Sequence, residues 1–381
     1  MLSTKFQIII PTIGGRELYL PWAIRSCLNQ DYDNFEVLVS NNGGSPAVRE
    51  VVTSFTDDRI RYLETDRVLP MAVHWEFVVS QAKGDVLTII GDDDALMPHA
   101  LARLNTIFMQ DDGLECVTHN PGQYFWPDFF EHWCRNHYLL RPGTGTVKEV
   151  DTSSVLKRVA EFREWYGRLP VLYHGFVKRT VLDRIRNSQG TIFKRLIPDV
   201  YSDLVLAAVM DRYAHFNGCL SFGGQGAKSN GANFYLNNEA GKGFVTGLPD
   251  YLIPKYYAGN VHIQLYEYVE KICDLFPEIR KGLNIAWRKF AWQVIQEALM
   301  TPAHCQCSLI ELQRIARNDC PAIKRILTLI AIAPYRLPWM SELAGKVLLK
   351  RRAWRMRSML KDATKTCGAR NIYELVVGVE A

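Results

Sequence analysis

The feature that most constrains this chain is a series of four apolar runs in its first hundred residues, each ended by proline, glycine or polar side chains. Residues 6–10 read as a strand that stops at Pro11, and residues 35–39 as a second that gives way to Asn41-Asn42-Gly43-Gly44. Residues 60–63 end in Glu64-Thr65-Asp66-Arg67, and residues 86–90 in Gly91-Asp92-Asp93-Asp94. Helical spacing lies between them, over 18–29 with Leu20, Ala23, Ile24, Cys27 and Leu28 on one side, and over 71–82. Such alternation predicts an α/β fold whose sheet is mainly parallel and buried on both faces. In sheets of this kind ligands bind beyond the carboxyl ends of the strands, where all four polar terminations fall.

Three consecutive aspartates after a buried strand concentrate carboxylates at one spot, where each raises the pKa of the others. A hard divalent cation with oxygen ligands, Mn2+ or Mg2+, relieves that repulsion. It can bridge a carboxylate to both phosphates of a nucleoside diphosphate and stabilise negative charge on a departing diphosphate. An isolated Asp-Asp-Asp is more often a solvated turn or helix cap; its place after this strand is what points to a cation. In an extended segment Asp92 and Asp94 share a face, so spacing alone selects those two as ligands.

Several segments resemble one family. They are Ile10-Pro11-Thr12 followed by Arg16, Ser26-Cys27-Leu28-Asn29-Gln30-Asp31-Tyr32, Phe35-Glu36-Val37-Leu38-Val39-Ser40-Asn41-Asn42-Gly43, and Ala82-Lys83-Gly84-Asp85 before Ile90-Gly91-Asp92-Asp93-Asp94. In register over residues 8–98, they resemble the nucleotide-binding half of family 2 glycosyltransferases with the GT-A fold, of the bacterial surface-polysaccharide type. The resemblance implies an inverting, metal-dependent enzyme. It would move a sugar from a nucleotide-diphosphate sugar, a UDP-sugar being favoured, to a hydroxyl of a glycan or lipid-linked acceptor. It also moves the metal ligand: in the family a proline usually follows the metal-binding aspartate by five positions, which aligns Asp93 with it through Pro98. Asp92 then falls near the ribose or sugar, and Asp94 is a second candidate ligand. Pro11, Thr12, Arg16, Asp66 and Arg67 are expected around the base and ribose. Asn41 stands where the family commonly has an aspartate facing the nucleobase; its amide oxygen can still accept from uracil N3–H.

Inverting transfer also needs a base for the acceptor hydroxyl. Ile197-Pro198-Asp199-Val200-Tyr201-Ser202-Asp203-Leu204 resembles the segment that supplies it, with Asp199 in the matching place. Pro198 suits the first turn of a helix, which sets Asp199 near the N-terminus and Asp203, the second candidate, on the same face. Gly223-Gly224-Gln225-Gly226-Ala227-Lys228-Ser229-Asn230-Gly231 reads as a flexible loop. It resembles the loop that closes over the diphosphate, with Lys228 and Ser229 as phosphate contacts. The lone histidines His174 and His215 read as core or surface residues, and the aromatic stretch over 120–152 as either a sugar-lining insertion or a satellite core.

Composition narrows the rest. With 48% hydrophobic and 22% charged residues the chain is an ordinary folded protein, and no run of apolar residues is long enough to span a bilayer. The opening Met1-Leu2-Ser3-Thr4-Lys5 lacks a signal-peptide pattern, and nine scattered cysteines suit reduced thiols, so a cytoplasmic chain is expected. A net charge of +5 does not imply nucleic acid. It is concentrated, though: seven Lys/Arg and no acid lie between positions 346 and 361. With the apolar tract 326–333, Trp339 and Trp354, this composition fits contact with the inner face of a membrane. A buried or homo-oligomer-forming helical domain is the alternative. The expected division is a catalytic domain over 1–248, with a nucleotide-sugar half at 1–118 and an acceptor half at 119–248, then a helical region over 249–381. Two other functions stay open: a nucleotidyltransferase-like enzyme, and an inactive nucleotide- or glycan-binding protein.

Overall fold

The structure is a computed structural model that describes residues 3–229, 252–256, 259–301, 304–321, 328 and 331–379. The strands β1 (Phe6–Ile13), β2 (Phe35–Asn42), β3 (Ile60–Glu64) and β4 (Val86–Ile89) pair in the order 3-2-1-4, all parallel. The apolar runs of β1, β2 and β4 reflect cover on both faces, whereas the edge strand β3 carries Arg61 and is half-buried. Ile8, Ile10, Val37 and Val39 enter a core with α1 (Leu20–Leu28), α2 (Pro46–Thr53) and, further on, Ala100–Gln110. Ile9, Leu38 and Leu87 enter a second core with α3 (Met71–Ser80).

Two strands run further than their apolar residues suggest. β1 continues through Pro11, because β4 pairs with β1 only as far as Ile9 and the missing N–H faces an open edge. β2 includes the polar Ser40, Asn41 and Asn42, whose backbones pair with Pro11, Thr12 and Ile13. The helix α2 joins β2 to β3. Ser45 caps it by accepting from Val48 N–H at 3.5 Å, and Pro46 opens it.

Beyond β4 the sheet becomes mixed. Phe176–Lys178 lies antiparallel between β4 and Cys116–His119, and Val147–Asp151 lies antiparallel to Arg212–Phe216. The parallel expectation therefore describes the first half of an eight-stranded sheet. A smaller five-stranded sheet joins Ala95–Leu96, Ser221–Gln225, Gly122–Phe125, His137–Leu139 and Lys361–Asp362. Within it Tyr124, Phe125, Trp126 and Tyr138 are buried, with Phe129 in the adjoining loop, so this part of the aromatic stretch is core.

The helices Val261–Leu275, Trp287–Met300 and Cys305–Asp319 share the second core with α3 and with Thr152–Ala160, Arg179–Gln189 and Pro198–Val209. The expected division at 248/249 lies outside the described residues, and described helices on either side of it share this core. The chain then returns to the other side of the sheet. Lys361–Asp362 pairs with His137–Leu139, and Ile372, Leu375 and Val376 pack with Leu20 and Ala23 of α1. Part of the apolar tract 326–333 lies outside the described residues, as do Asn230 and Gly231. Among the described residues no helix is long and apolar enough to cross a membrane.

Candidate active site at the end of β4

The Gly91–Asp94 segment is a turn and not an extended strand: Asp94 N–H donates to Gly91 C=O at 3.2 Å. The alternation that would pair Asp92 with Asp94 therefore does not apply. Gly91 is required by space, since an added Cβ would stand 2.8 Å from both Asp93 Oδ1 and Asp94 Oδ2. All three carboxylates are buried, at 1%, 4% and 1% exposure, so what faces each one decides its chemistry.

Asp92 is fully held. Thr12 Oγ1 donates to it at 2.5 Å and Arg16 Nε at 2.6 and 2.8 Å. Arg16 also lies 3.1 Å from Asp93 Oδ1 through Nη2 and donates to the carbonyl of Lys228. Burial works against the guanidinium charge, but Asp92 and Asp93 outweigh it and its pKa is raised. Asp94 meets more donors still. Gly224 N–H donates at 2.7 Å, Gly91 N–H at 2.5 Å and the Tyr173 hydroxyl at 2.6 Å, and His174 Nε2 lies 3.1 Å away. Burial pushes Asp94 up, yet His174 and these hydrogen bonds prevail and its pKa is lowered.

Asp93 has fewer partners. Among the described residues its carboxylate meets only Arg16 and the Ser229 hydroxyl. Burial, with the Asp94 and Asp92 charges added and Arg16 opposing, pushes it up to about 7. Asp92 and Asp93 share one guanidinium, and Asp93 has fewer other donors to make up the difference.

The loop over 226–229 closes against the cluster. Gly226 N–H donates to Ser229 Oγ at 2.7 Å, and a Cβ at Gly15 would stand 3.4 Å from Lys228 Nζ. Among the described residues of the glycine-rich stretch only this part is a loop; Gly223 and Gly224 belong to the strand Ser221–Gln225. Gly224 is glycine because the backbones crowd: a Cβ there would meet Asp93 C=O at 1.8 Å. Trp126 Nε1–H donates to that same carbonyl at 3.0 Å, and the Tyr19 hydroxyl donates to Asp128 nearby.

Asp199 sits in the first turn of the helix Pro198–Val209, as the proline predicts. It is half-buried, and burial raises its pKa. Asp203, one turn on, is buried with Oδ1 unpartnered, and burial together with Asp199 drives it well above the carboxylate range. Tyr173 connects this helix to the cluster. Its phenol is pushed up by burial and then by Asp94, Asp93 and Asp199, so it lies within the field of both groups.

Other expected residues lie apart. Asn41 is wholly buried; its Nδ2 donates to Ser45 C=O and Tyr62 Oη, both at 2.8 Å, and its Oδ1 accepts from Ser45 N–H at 3.1 Å. The amide thus faces its own loop, because the turn after β2 leaves that N–H otherwise unpaired. Pro11 is half-buried in β1, while Asp66 and Arg67 are exposed past the end of β3. Tyr173 and His174 were not signalled by the sequence. His174 adopts φ +65°, which turns its ring onto Asp94, while Nδ1 meets Ser221 Oγ at 2.7 Å. A non-glycine residue in that conformation is uncommon and carries no sequence signature here.

A cavity of about 320 Å³ lies at the opposite end of the sheet, beside Thr4, Asp85 and Lys178. Its polar groups are served internally, Asp85 by Lys5 N–H and Lys178 by Asp112 C=O, so the chemistry stays with the aspartates.

Residues 7–181 match the model of glycosyl transferase family 2. This segment is a family 2 glycosyltransferase domain. The GalNAc(5)-diNAcBac-PP-undecaprenol beta-1,3-glucosyltransferase of Campylobacter jejuni is 34% identical over 103 residues, 26% of this chain and 33% of that protein. The putative colanic acid biosynthesis glycosyl transferase WcaA of Escherichia coli is 30% identical over 98 residues, 25% and 35% of the two chains. The matched part spans about a third of these relatives' length. In fold, the chain is similar to S. aureus TarS 1–349, crystallised with UDP-GlcNAc, at a TM-score of 0.51 and 11% identity over 92% of each chain. The family 2 domain thus has an α/β GT-A architecture followed by a helical C-terminal region.

Proposed function

We propose that this chain transfers a sugar from a nucleotide-diphosphate sugar to a hydroxyl of a glycan or lipid-linked acceptor, by single displacement with inversion. The observation that carries the reading is Asp93, a buried carboxylate at a strand end with fewer partners than its neighbours and a pKa pushed up to about 7. Its oxygens each meet one donor and keep lone pairs, which fits a divalent cation, Mn2+ or Mg2+. Asp94 fits less well as a second ligand, because four donors converge on it; its role is to fix the turn that presents Asp93. When bound, the cation would neutralise charge on the leaving diphosphate.

The chain's own residues supply the rest. Thr12 and Arg16 orient Asp92 towards the ribose or sugar. Ser229 releases Asp93 as the donor enters, and Lys228 brings its ammonium to the diphosphate. Asp203, the more strongly raised of the two acids, stays protonated and leaves Asp199 as the charged member. Asp199 then takes the proton of the acceptor hydroxyl at the helix N-terminus. UDP-sugars are the first donors to test, although selection of uracil falls to groups other than Asn41. The names of the relatives, one ending in a PP-undecaprenol acceptor, make a lipid-linked acceptor the first to try.

The test is a panel of nucleotide sugars with Mn2+, read by thermal shift and by diphosphate release. Asp199→Asn should lower turnover by about 10²–10⁴-fold and leave the donor-induced shift intact. Turnover unchanged in that variant would remove Asp199 from the mechanism. A panel in which no donor shifts the melting temperature would favour an inactive binding protein.

A further inference from the structure

The helix Pro338–Arg357 runs for 20 residues, about 30 Å, along the outside of the molecule. One face is fixed to the body. Ser341 and Gly345 are buried, and a Cβ at Gly345 would meet Leu299 C=O at 2.3 Å, so the helix lies close against Trp287–Met300 and cannot roll. The opposite face carries Trp339, Leu343, Val347 and Trp354, which are 64%, 59%, 44% and 74% exposed. At 100° per residue these four fall within an arc of about 80°. The helix is therefore apolar on two opposite sides, and only one of them is used by the fold.

Cations border the exposed stripe. Lys350 falls within it, Lys346 and Arg357 along one margin, and Arg351 and Arg355 along the other. No acid occurs from position 346 to 361. A second copy of the chain docking face to face would set like charges against each other. A surface that offers both an apolar layer and negative charge meets this face apart from Glu342, which Lys346 neutralises at 2.6 Å.

We propose that this face docks on an anionic lipid bilayer, with the tryptophans and leucine at the headgroup boundary and the Lys/Arg side chains on lipid phosphates. The C-terminal end of the helix reaches the donor side of the fold. Met356 and Leu360 pack on the Phe125, Phe129 and Cys134 cluster, and Arg357 lies 5.1 Å over the Trp133 ring. Trp126, next to Phe125, holds the backbone of Asp93. A docked helix would bring the aspartate cluster at the end of β4 close to the lipid surface, which deepens the lipid-linked acceptor reading and rests on it only for its purpose.

The experiment is flotation of the full chain with vesicles of phosphatidylcholine alone and of equimolar phosphatidylcholine and phosphatidylglycerol, at low and moderate salt. We expect binding to the anionic vesicles only, weakened by salt. Trp339→Ala with Trp354→Ala, and separately Lys350→Glu with Arg351→Glu and Arg355→Glu, should each reduce it at least about tenfold. Melting temperature and donor hydrolysis without lipid serve as controls and should stay at the wild-type level. No binding of wild type to anionic vesicles overturns the proposal, as does undiminished binding by both variants. A wild-type dimer that the same substitutions dissociate would identify a self-interface instead. Donor hydrolysis separates these outcomes from failure of the catalytic reading.

Discussion

At the end of β4 three carboxylates lie out of water, whereas along the helix Pro338–Arg357 two tryptophans and a run of cations lie in it. Both places set side chains against their ordinary preference. They differ in who answers for it. At β4 the protein supplies Arg16, Thr12, Tyr173, His174 and backbone N–H groups, which hold Asp94 down; burial still raises Asp92 and Asp93, and Asp93 has the fewest partners. On the outer face of the helix only Glu342, paired with Lys346 at 2.6 Å, offers a counter-charge. The buried site is nearly self-sufficient and, in the proposed function, takes one cation; the exposed face needs a whole surface.

The largest break in this comparison is Arg16→Met. It removes the guanidinium that Asp92 and Asp93 share and should destabilise the fold by about 3–5 kcal/mol at neutral pH, measured by denaturant unfolding. The loss should shrink as pH falls and the acids protonate.

Asp93→Asn should act in the opposite direction. The folded carboxyl, at about 7, binds a proton more tightly than its unfolded counterpart near 3.8. Stability of the metal-free wild type must then fall as pH rises from about 4 to 7, with the penalty fully present above that. The asparagine variant escapes it and should be more stable than wild type at pH 8 by about 1–3 kcal/mol, with the difference vanishing towards pH 4. A pH series of melting temperatures in chelator would show it.

The smallest effect belongs to the helix. Trp354 is 74% exposed, so Trp354→Ala should change unfolding free energy by less than about 0.5 kcal/mol. A larger loss would mean that the fold uses this ring, and the contrast between the two regions would weaken.

Much of the first half was legible because local pattern and burial agree there. Strands covered on both faces announce themselves as apolar runs, and Pro198 marked the start of the helix that carries Asp199. Legibility ended where pairing is distant. The small sheet draws Lys361–Asp362 onto His137–Leu139, a contact no local pattern encodes. Gly223 and Gly224 look the same in a sequence whether glycine serves a mobile loop or a strand pressed against Asp93 C=O. Asn41 turns its amide onto Ser45, a local contact that its residue type alone does not announce. His174 matters through a left-handed backbone that turns a lone histidine onto Asp94, and composition says nothing of that.

The central claim is that Asp93 holds the cation that accompanies a nucleotide diphosphate. Calorimetric titration of UDP into wild type and Asp93→Asn, with Mn2+ and with chelator, tests it most directly. The account predicts Mn2+-dependent binding in wild type and its loss in the variant, which should still melt cooperatively. Equal Mn2+-dependent binding by both proteins would contradict it.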